Sequence, residues 1–332
     1  MLELQDQLPK SIILELEIIK ACLEEAVTNL QIVLKSDGEN VCWSSITKGQ
    51  YQYLTKLNAA PLRVDKFIND YLLDVYSGGL FCSATITINE EFSYFSQKIG
   101  VDIAKINNHI EEKIYPSPFY YNDQVKLFIF NSRIDVSDSK YFDEIAQQID
   151  KLSITLKRRI LVLCTSYKQI KELNIRLAPA MNKGLRNLIV QKKGLSRNLL
   201  ISNYLEKDQS TLIGTSSFWE GIDLPGDKVE ILCIVKTPFD NPFDPLVQSN
   251  IEDYLQHGQN AFLDYQVPEA TMKLRQGFGR LIRNMNDSGI CIIMDTRLSY
   301  RKYGKTILDS LPIEAIPYKH IDKVIFDAQK FF

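Results

Sequence analysis

The sequence predicts an α/β fold in which a mainly parallel sheet is flanked by helices and preceded by a helical segment. Three observations predict it. Short apolar runs of strand character recur after about Gly100, and amphipathic stretches separate most of them, as buried parallel strands and their connecting helices do. The composition, 45% hydrophobic and 24% charged, excludes disorder, collagen and coiled coil as whole-chain readings. The length, 332 residues, leaves room for about two domains, and the change of pattern divides the chain into 1–100 and 101–332.

From the amino end, Ile12, Leu16, Ile19, Leu23, Ala26, Val27 and Leu30 fall at helical spacing and predict one long amphipathic helix over Pro9–Leu34. Its exposed hydrophobes need a partner, and Glu15, Glu17, Lys20, Glu24 and Glu25 make it too charged to span a bilayer. Trp43 to Leu72 reads as irregular and then helical, with Pro61 as the helix start. Leu80 to Ala84 reads as a short buried strand. The strands that follow are Leu127–Phe130, Ile160–Cys164, Leu188–Val190, Leu212–Thr215, Ile231–Val235 and Ile290–Met294. The helices between them are Tyr141–Lys157, Tyr167–Leu177, Arg197–Leu205, Asp244–Phe262 and Glu269–Arg283. Sheets of this kind bind ligands at the carboxyl ends of their strands, so polar residues just after the apolar runs are where chemistry is sought.

Lysine and arginine number 39 against 41 acidic residues, a net charge of −2, which excludes a basic protein that coats nucleic acid but leaves room for a local basic groove. Six cysteines stand far apart with no CxxC, unlike a zinc site or a secreted disulfide framework. Cys164 and Cys233 lie in apolar runs and read as small buried hydrophobes. Glu3 and Asp6 precede the first apolar stretch, so no signal peptide is read there. The expected compartment is the reducing cytoplasm, with no membrane partner.

Three motifs are decoys. Gly304-Lys305-Thr306 lacks the glycine five positions earlier that a phosphate-binding loop requires; Ser299 stands there. Asp143 and Glu144 sit in an amphipathic helix rather than after a buried strand, as a solvated face. Gly277-Phe278-Gly279 has no third glycine at dinucleotide spacing.

Two constellations are informative. Leu212-Ile213-Gly214-Thr215 leads into Ser216, Ser217, Phe218, Trp219, Glu220, Gly221 and Asp223, a strand-to-loop turn whose hydroxyls and amides suit a phosphate or ribose. Gln276, Arg280 and Arg283 are spaced at i, i+4 and i+7, one helical face beside the small Gly277 and Gly279, and suit a nucleotide phosphate. Spacing alone serves a surface salt-bridge row equally well.

TSSFWEGIDLPG, KTPFDNPFDP, QGFGRLIR, IIMDTR and YGK with a downstream SLP, taken in order, resemble the second motor domain of DinG-type helicases, which are XPD-like, superfamily-2 DNA helicases. Ser83-Ala84-Thr85, followed by FSYFSQKIG, resembles the family's coupling motif and the end of its first motor domain. The resemblance runs from about Trp43 to Pro312 and implies a RecA-like sheet over 101–332. Residues 1–100 would then be a helical remnant of the arch region with the end of the first motor domain.

By resemblance, Ser83, Ala84 and Thr85 link the nucleotide site to the DNA site. Thr165, Ser166, Tyr167, Thr215, Ser216, Ser217, Phe218 and Trp219 contact single-stranded DNA, although Tyr167, Phe218 and Trp219 also suit core or interdomain packing. Glu220, Gly221, Asp223 and Gly279 lie toward the nucleotide, while Gln276, Arg280 and Arg283 are catalytic, reaching its phosphates. No residue is assigned to a metal.

The family's phosphate loop, its acidic Mg²⁺ box and the four cysteines of its iron–sulfur cluster have no counterpart in this sequence. The chain therefore resembles the carboxyl-terminal part of a longer helicase, whose parent would bind ATP and Mg²⁺ and move on single-stranded DNA, 5′ to 3′ by resemblance. The expected partners are single-stranded DNA and the remainder of the parent, and the piece itself is expected not to hydrolyse ATP. A rival expectation is a nucleic-acid-binding or assembly module that keeps the fold without hydrolysis.

Overall fold

The computed structural model describes residues 9–35, 38–48, 53–76, 78–101, 110–184, 186–215, 218 and 229–332. The chain divides into two compact units, one of Met1–Gly79, Gln97–Asn108 and Asn241–Gln259, the other of Leu80–Ser96, His109–Asp240 and Asn260–Phe332.

In the first unit, the expected amphipathic helix runs from Lys10 to Lys35 and buries no residue. Strands β1 (Asn40–Lys48) and β2 (Tyr53–Pro61) form an antiparallel hairpin, in register from Asn40 opposite Pro61 to Lys48 opposite Tyr53. The sequence reading of this stretch as irregular and then helical is thus corrected. Alternation at period two marks a strand only when one face is buried, and Val41 is the single fully buried position among these strand residues. The helix begins at Val64, beyond Pro61. The Arg63 guanidinium meets Asp65 through two hydrogen bonds, at 3.1 and 2.8 Å. Gly100, at φ +75°, packs where a Cβ would lie 2.7 Å from the Asp65 carbonyl oxygen. The helix Pro245–Gln256, capped by Asp244, ends before Gly258 at φ +73°, so the stretch read as one helix to Phe262 is broken there.

The second unit is built on seven strands: β3 (Val125–Phe130), β4 (Ile160–Leu163), β5 (Asn187–Val190), β6 (Ser210–Gly214), β7 (Ile231–Ile234), β8 (Gly289–Ile293) and β9 (Ile316–Tyr318). Their order is β5-β6-β4-β7-β8-β3-β9, and every pairing is parallel. This is the expected RecA-like α/β sheet, enlarged by β9 and by the closing helix Ile321–Phe331, which the sequence reading did not anticipate.

Successive side chains point to opposite faces. Ile160 and Val162 enter a core shared with the helices Ser139–Leu156, Tyr167–Lys183 and Ile321–Phe331, and Leu161 and Leu163 enter a second core with Arg197–Glu206 and Val267–Phe278. Burial on both faces explains why the central strands read as unbroken apolar runs. Cys164, Cys233 and Cys291 lie in these cores. The buried strand read at Leu80–Ala84 does not form: Leu80 is 87% exposed and the segment joins no strand. An apolar run becomes a strand only with a neighbour to complete its hydrogen bonds. Among the described residues no helix is long and apolar enough to cross a membrane.

Candidate functional site

Three neighbouring strands, β5, β6 and β4, end in polar turns at the carboxyl edge of the sheet. After β4, Ser166 caps the helix Tyr167–Lys183, its hydroxyl accepting from the Gln169 amide at 3.3 Å. Gln169 returns to the turn, accepting from the Thr165 amide at 3.0 Å and donating to the Thr165 hydroxyl at 2.6 Å. That hydroxyl therefore keeps its own proton for an outside acceptor. Tyr167 is 39% exposed on the first helical turn. After β6, the Thr215 amide and hydroxyl both donate to Gln191 Oε1, at 2.7 and 3.3 Å. Gln191 follows β5 directly, and its Nε2 donates to the Tyr167 hydroxyl at 3.3 Å. The topology thus brings Thr165, Ser166, Tyr167 and Thr215 to one edge, with Gln191 as a residue that sequence reasoning missed. Its signal was present: the first polar residue after the apolar run Leu188–Val190.

Phe218 departs from its expected role. Its side chain is fully buried in the core, 2.5 Å from where a Cβ on Gly214 would stand, so it offers no ring face to a base. Ser216, Ser217, Trp219, Glu220, Gly221 and Asp223 lie outside the described residues.

The helix Val267–Phe278 carries Gln276 but ends before the two arginines. Gly279 is the carboxyl cap, and the amides of Arg280 and Leu281 bond back to Gly277 and Phe278 at 3.1 and 3.0 Å, a tightened last turn. Gln276, Arg280 and Arg283 therefore do not share one helical face, as their spacing had suggested. Tertiary packing ends the helix: Leu281 and Ile282 are buried, and Leu281 Cδ1 would lie 2.5 Å from a Cβ on Gly289. Beyond them, the buried Asp287 carboxylate accepts from the amides of Arg283 and Asn284 at 2.8 and 2.7 Å. Gln124 Nε2 holds the same turn, donating to the carbonyls of Asn284, Met285 and Asp287. Gln276 Oε1 is buried with no hydrogen-bond partner among the described residues, an arrangement that costs about 1–3 kcal/mol until a donor arrives.

The segment Ser83–Thr87 is fastened to this helix. The guanidinium of Arg275 donates to the carbonyls of Thr87 and, at 3.2 Å, Ala84, and burial pulls its pKa down. The Tyr94 hydroxyl donates to Glu269 at 2.6 Å, one more tie between the same two stretches. Ser83 Oγ accepts from the Thr85 amide at 3.2 Å, and both Ser83 and Ala84 are exposed. No sequence signal marked Arg275, because its partners lie far upstream.

Past β8, Asp295 is fully buried and accepts from the Thr237 amide and hydroxyl, both at 2.7 Å, and from Arg297 Nε and Nη2 at 2.9 and 2.7 Å. Burial pushes the carboxyl up, yet the hydrogen bonds and charge of Arg297, helped by Thr237, outweigh it and hold the group below its ordinary value. The bonds from Thr237 to Asp295 tie the ends of β7 and β8. Among the described residues no group of three or more His, Cys, Asp or Glu side chains is placed to hold a metal ion.

Residues 149–314, half of the chain, match the helicase C-terminal domain family. The ATP-dependent DNA helicase YoaA of Haemophilus influenzae is 34% identical over 256 residues, 77% of this chain and 38% of that protein. The 3′-5′ exonuclease DinG of Bacillus subtilis is 30% identical over 286 residues, 85% of this chain and 30% of that protein. A solved structure described as an XPD helicase superposes with a TM-score of 0.57 at 15% identity, over 86% of this chain and 49% of that one, a likeness of fold. The chain thus spans less than two fifths of the two relatives by sequence.

Proposed function

The chain belongs to the helicase C-terminal domain family as a DinG-type, XPD-like member, and from that premise we propose that it is the carboxyl-terminal motor half of an ATP-dependent DNA helicase, working in the cytoplasm on single-stranded DNA in the 5′ to 3′ direction. The observation that carries the reading is the polar edge made by the turns after β4, β5 and β6, where Thr165, Tyr167 and Thr215 stand side by side on neighbouring strands. The Thr165 and Tyr167 hydroxyls, whose protons are left for an outside acceptor, suit phosphodiester oxygens, and they carry no base preference.

The nucleotide belongs to the same proposal. Gln276, with its unpartnered buried amide oxygen, stands at the end of the helix that leads into Arg280 and Arg283; the two guanidiniums suit the phosphates of ATP, and the amide oxygen suits a donor such as a water of its hydrated Mg²⁺. ATP hydrolysis supplies the free energy for movement. Arg280 and Arg283 stabilise the negative charge that develops on the phosphoryl group, and Gln276 orients what binds beside them. Gly279, Glu220, Gly221 and Asp223 are assigned to the nucleotide side of the same proposal. Ser83, Ala84 and Thr85, fastened by Arg275, relay closure toward the DNA edge.

The first motor domain of the parent is the partner that supplies phosphate-loop amides and Mg²⁺ ligands. The chain alone is therefore expected to bind labelled oligo(dT) weakly and to release no phosphate from ATP above background, with or without DNA. DNA-dependent phosphate release by the purified chain would overturn the assignment as half a motor. Failure to bind oligo(dT) at low salt would remove the strand edge and favour an assembly module.

A further inference from the structure

We propose that Gln191 is a positioning residue that locks the turns after β4 and β6 into one rigid strand-binding edge, and that it sets the Tyr167 hydroxyl as a donor to the phosphodiester backbone; the inference rests on the single-strand reading above. The orientation of its amide follows from chemistry. The Thr215 N–H can only donate, and it lies 2.7 Å from one end of the Gln191 amide, so that end is the oxygen and the other is the NH₂. The NH₂ then donates to the Tyr167 hydroxyl at 3.3 Å, which leaves the phenolic proton free to point outward. On the other side, β6 has ended at Gly214, so the Thr215 amide has passed beyond the ladder and Gln191 satisfies it. The Thr215 hydroxyl, on a residue only 5% exposed, donates to the same oxygen at 3.3 Å, so Gln191 holds the turn after β6 from within.

Glutamine alone combines these features. An acceptor and a donor are needed on one planar group, at the reach of two methylenes. Glutamate lacks the donor and adds a negative charge beside DNA, whereas alanine removes both bonds. The backbone of Gln191 is itself fixed, its amide donating to the Ile213 carbonyl at 3.0 Å, so the side chain starts from an anchored point. Lys193, two residues on, lies with its ammonium 5.7 Å from the centre of the Tyr167 ring and brings positive charge to the same edge.

The test uses the intact chain, labelled oligo(dT) anisotropy, and amide hydrogen exchange read in the peptide that covers Thr215. Gln191→Ala is expected to weaken oligo(dT) binding about tenfold and to speed exchange at Thr215. Tyr167→Phe is expected to weaken binding and leave Thr215 exchange unchanged. Adding Tyr167→Phe to Gln191→Ala should cost less than it does alone, because the hydroxyl is no longer held. Gln191→Glu should keep Thr215 protected yet weaken binding, and because its added charge alone would weaken binding, the positioning role is read from Gln191→Ala and the double variant. If the wild-type chain binds oligo(dT) and both Gln191 variants bind equally well, the positioning role is overturned while the strand edge stands. If the wild-type chain does not bind, the strand reading itself fails and takes the role with it.

Discussion

Asp295 shows how one side chain can hold two strand ends. Its carboxylate is fully buried, and Arg297 and Thr237 together outweigh the burial that would otherwise raise its pKa. A folded-state pKa below the unfolded value of about 3.9 means that the stabilisation is complete above that value and is lost as pH falls through the folded value. Asp295→Asn should therefore cost about 3–5 kcal/mol near neutrality, the usual cost of removing one partner from a buried ion pair. Urea midpoints measured from pH 7 to pH 3 should fall less steeply for the variant than for the wild type. Parallel pH curves would show that Asp295 does not carry this acid sensitivity. At the same scale, Arg283→Ala in the complete helicase should lower DNA-stimulated phosphate release by roughly 10³–10⁵ with melting temperature and oligo(dT) affinity nearly unchanged, and Arg283→Lys should not restore it. A variant that melts lower but turns over normally would make Arg283 a structural residue.

At the scale of elements, the instructive case is the segment from Val267 to Asp287. Its helix was legible from apolar spacing, but its end was not, because Leu281 and Ile282 fit the helical pattern and also the core beneath β8. Packing decided between them, and the turn that carries Arg283 was then held by Asp287 and Gln124 instead of by helical hydrogen bonds. Gln124→Ala should therefore cost about 1–2 kcal/mol, a fall in Tm of roughly 2–8 °C, with faster amide exchange over residues 283–287. Unchanged exchange there would mean that Asp287 alone suffices. The same reasoning separates what was legible elsewhere. The buried strands β4, β6, β7 and β8 announce themselves as apolar runs because both faces are covered. The hairpin β1–β2 does not, because most of its side chains remain half-buried or exposed. Thr165 and Thr215 were readable as hydroxyls at strand ends. Gln191, Arg275 and, through Thr237, Asp295 take their meaning from partners that only the fold brings near.

Over the whole molecule, charge bears on the reading most directly. With a net charge of −2, the chain has no overall attraction for DNA, and at 0.1 M salt fields fade over about 10 Å. Whatever holds a strand must therefore be the local edge, where Lys192 and Lys193 follow Gln191 on an exposed turn. If about three phosphates are neutralised there, the logarithm of affinity for a single strand should fall with the logarithm of salt at a slope of about −2. Affinity for oligo(dT) would then drop roughly 16-fold between 50 and 200 mM salt. Replacing Lys192 and Lys193 together by alanine should flatten the slope by about 1.4 and weaken binding almost equally for oligo(dT) and a mixed sequence, since backbone contacts read no bases. Anisotropy titrations at several salt concentrations measure all of this at once. Tight binding that ignores salt, or a slope untouched by the double substitution, would place the strand somewhere other than the carboxyl edge of the sheet.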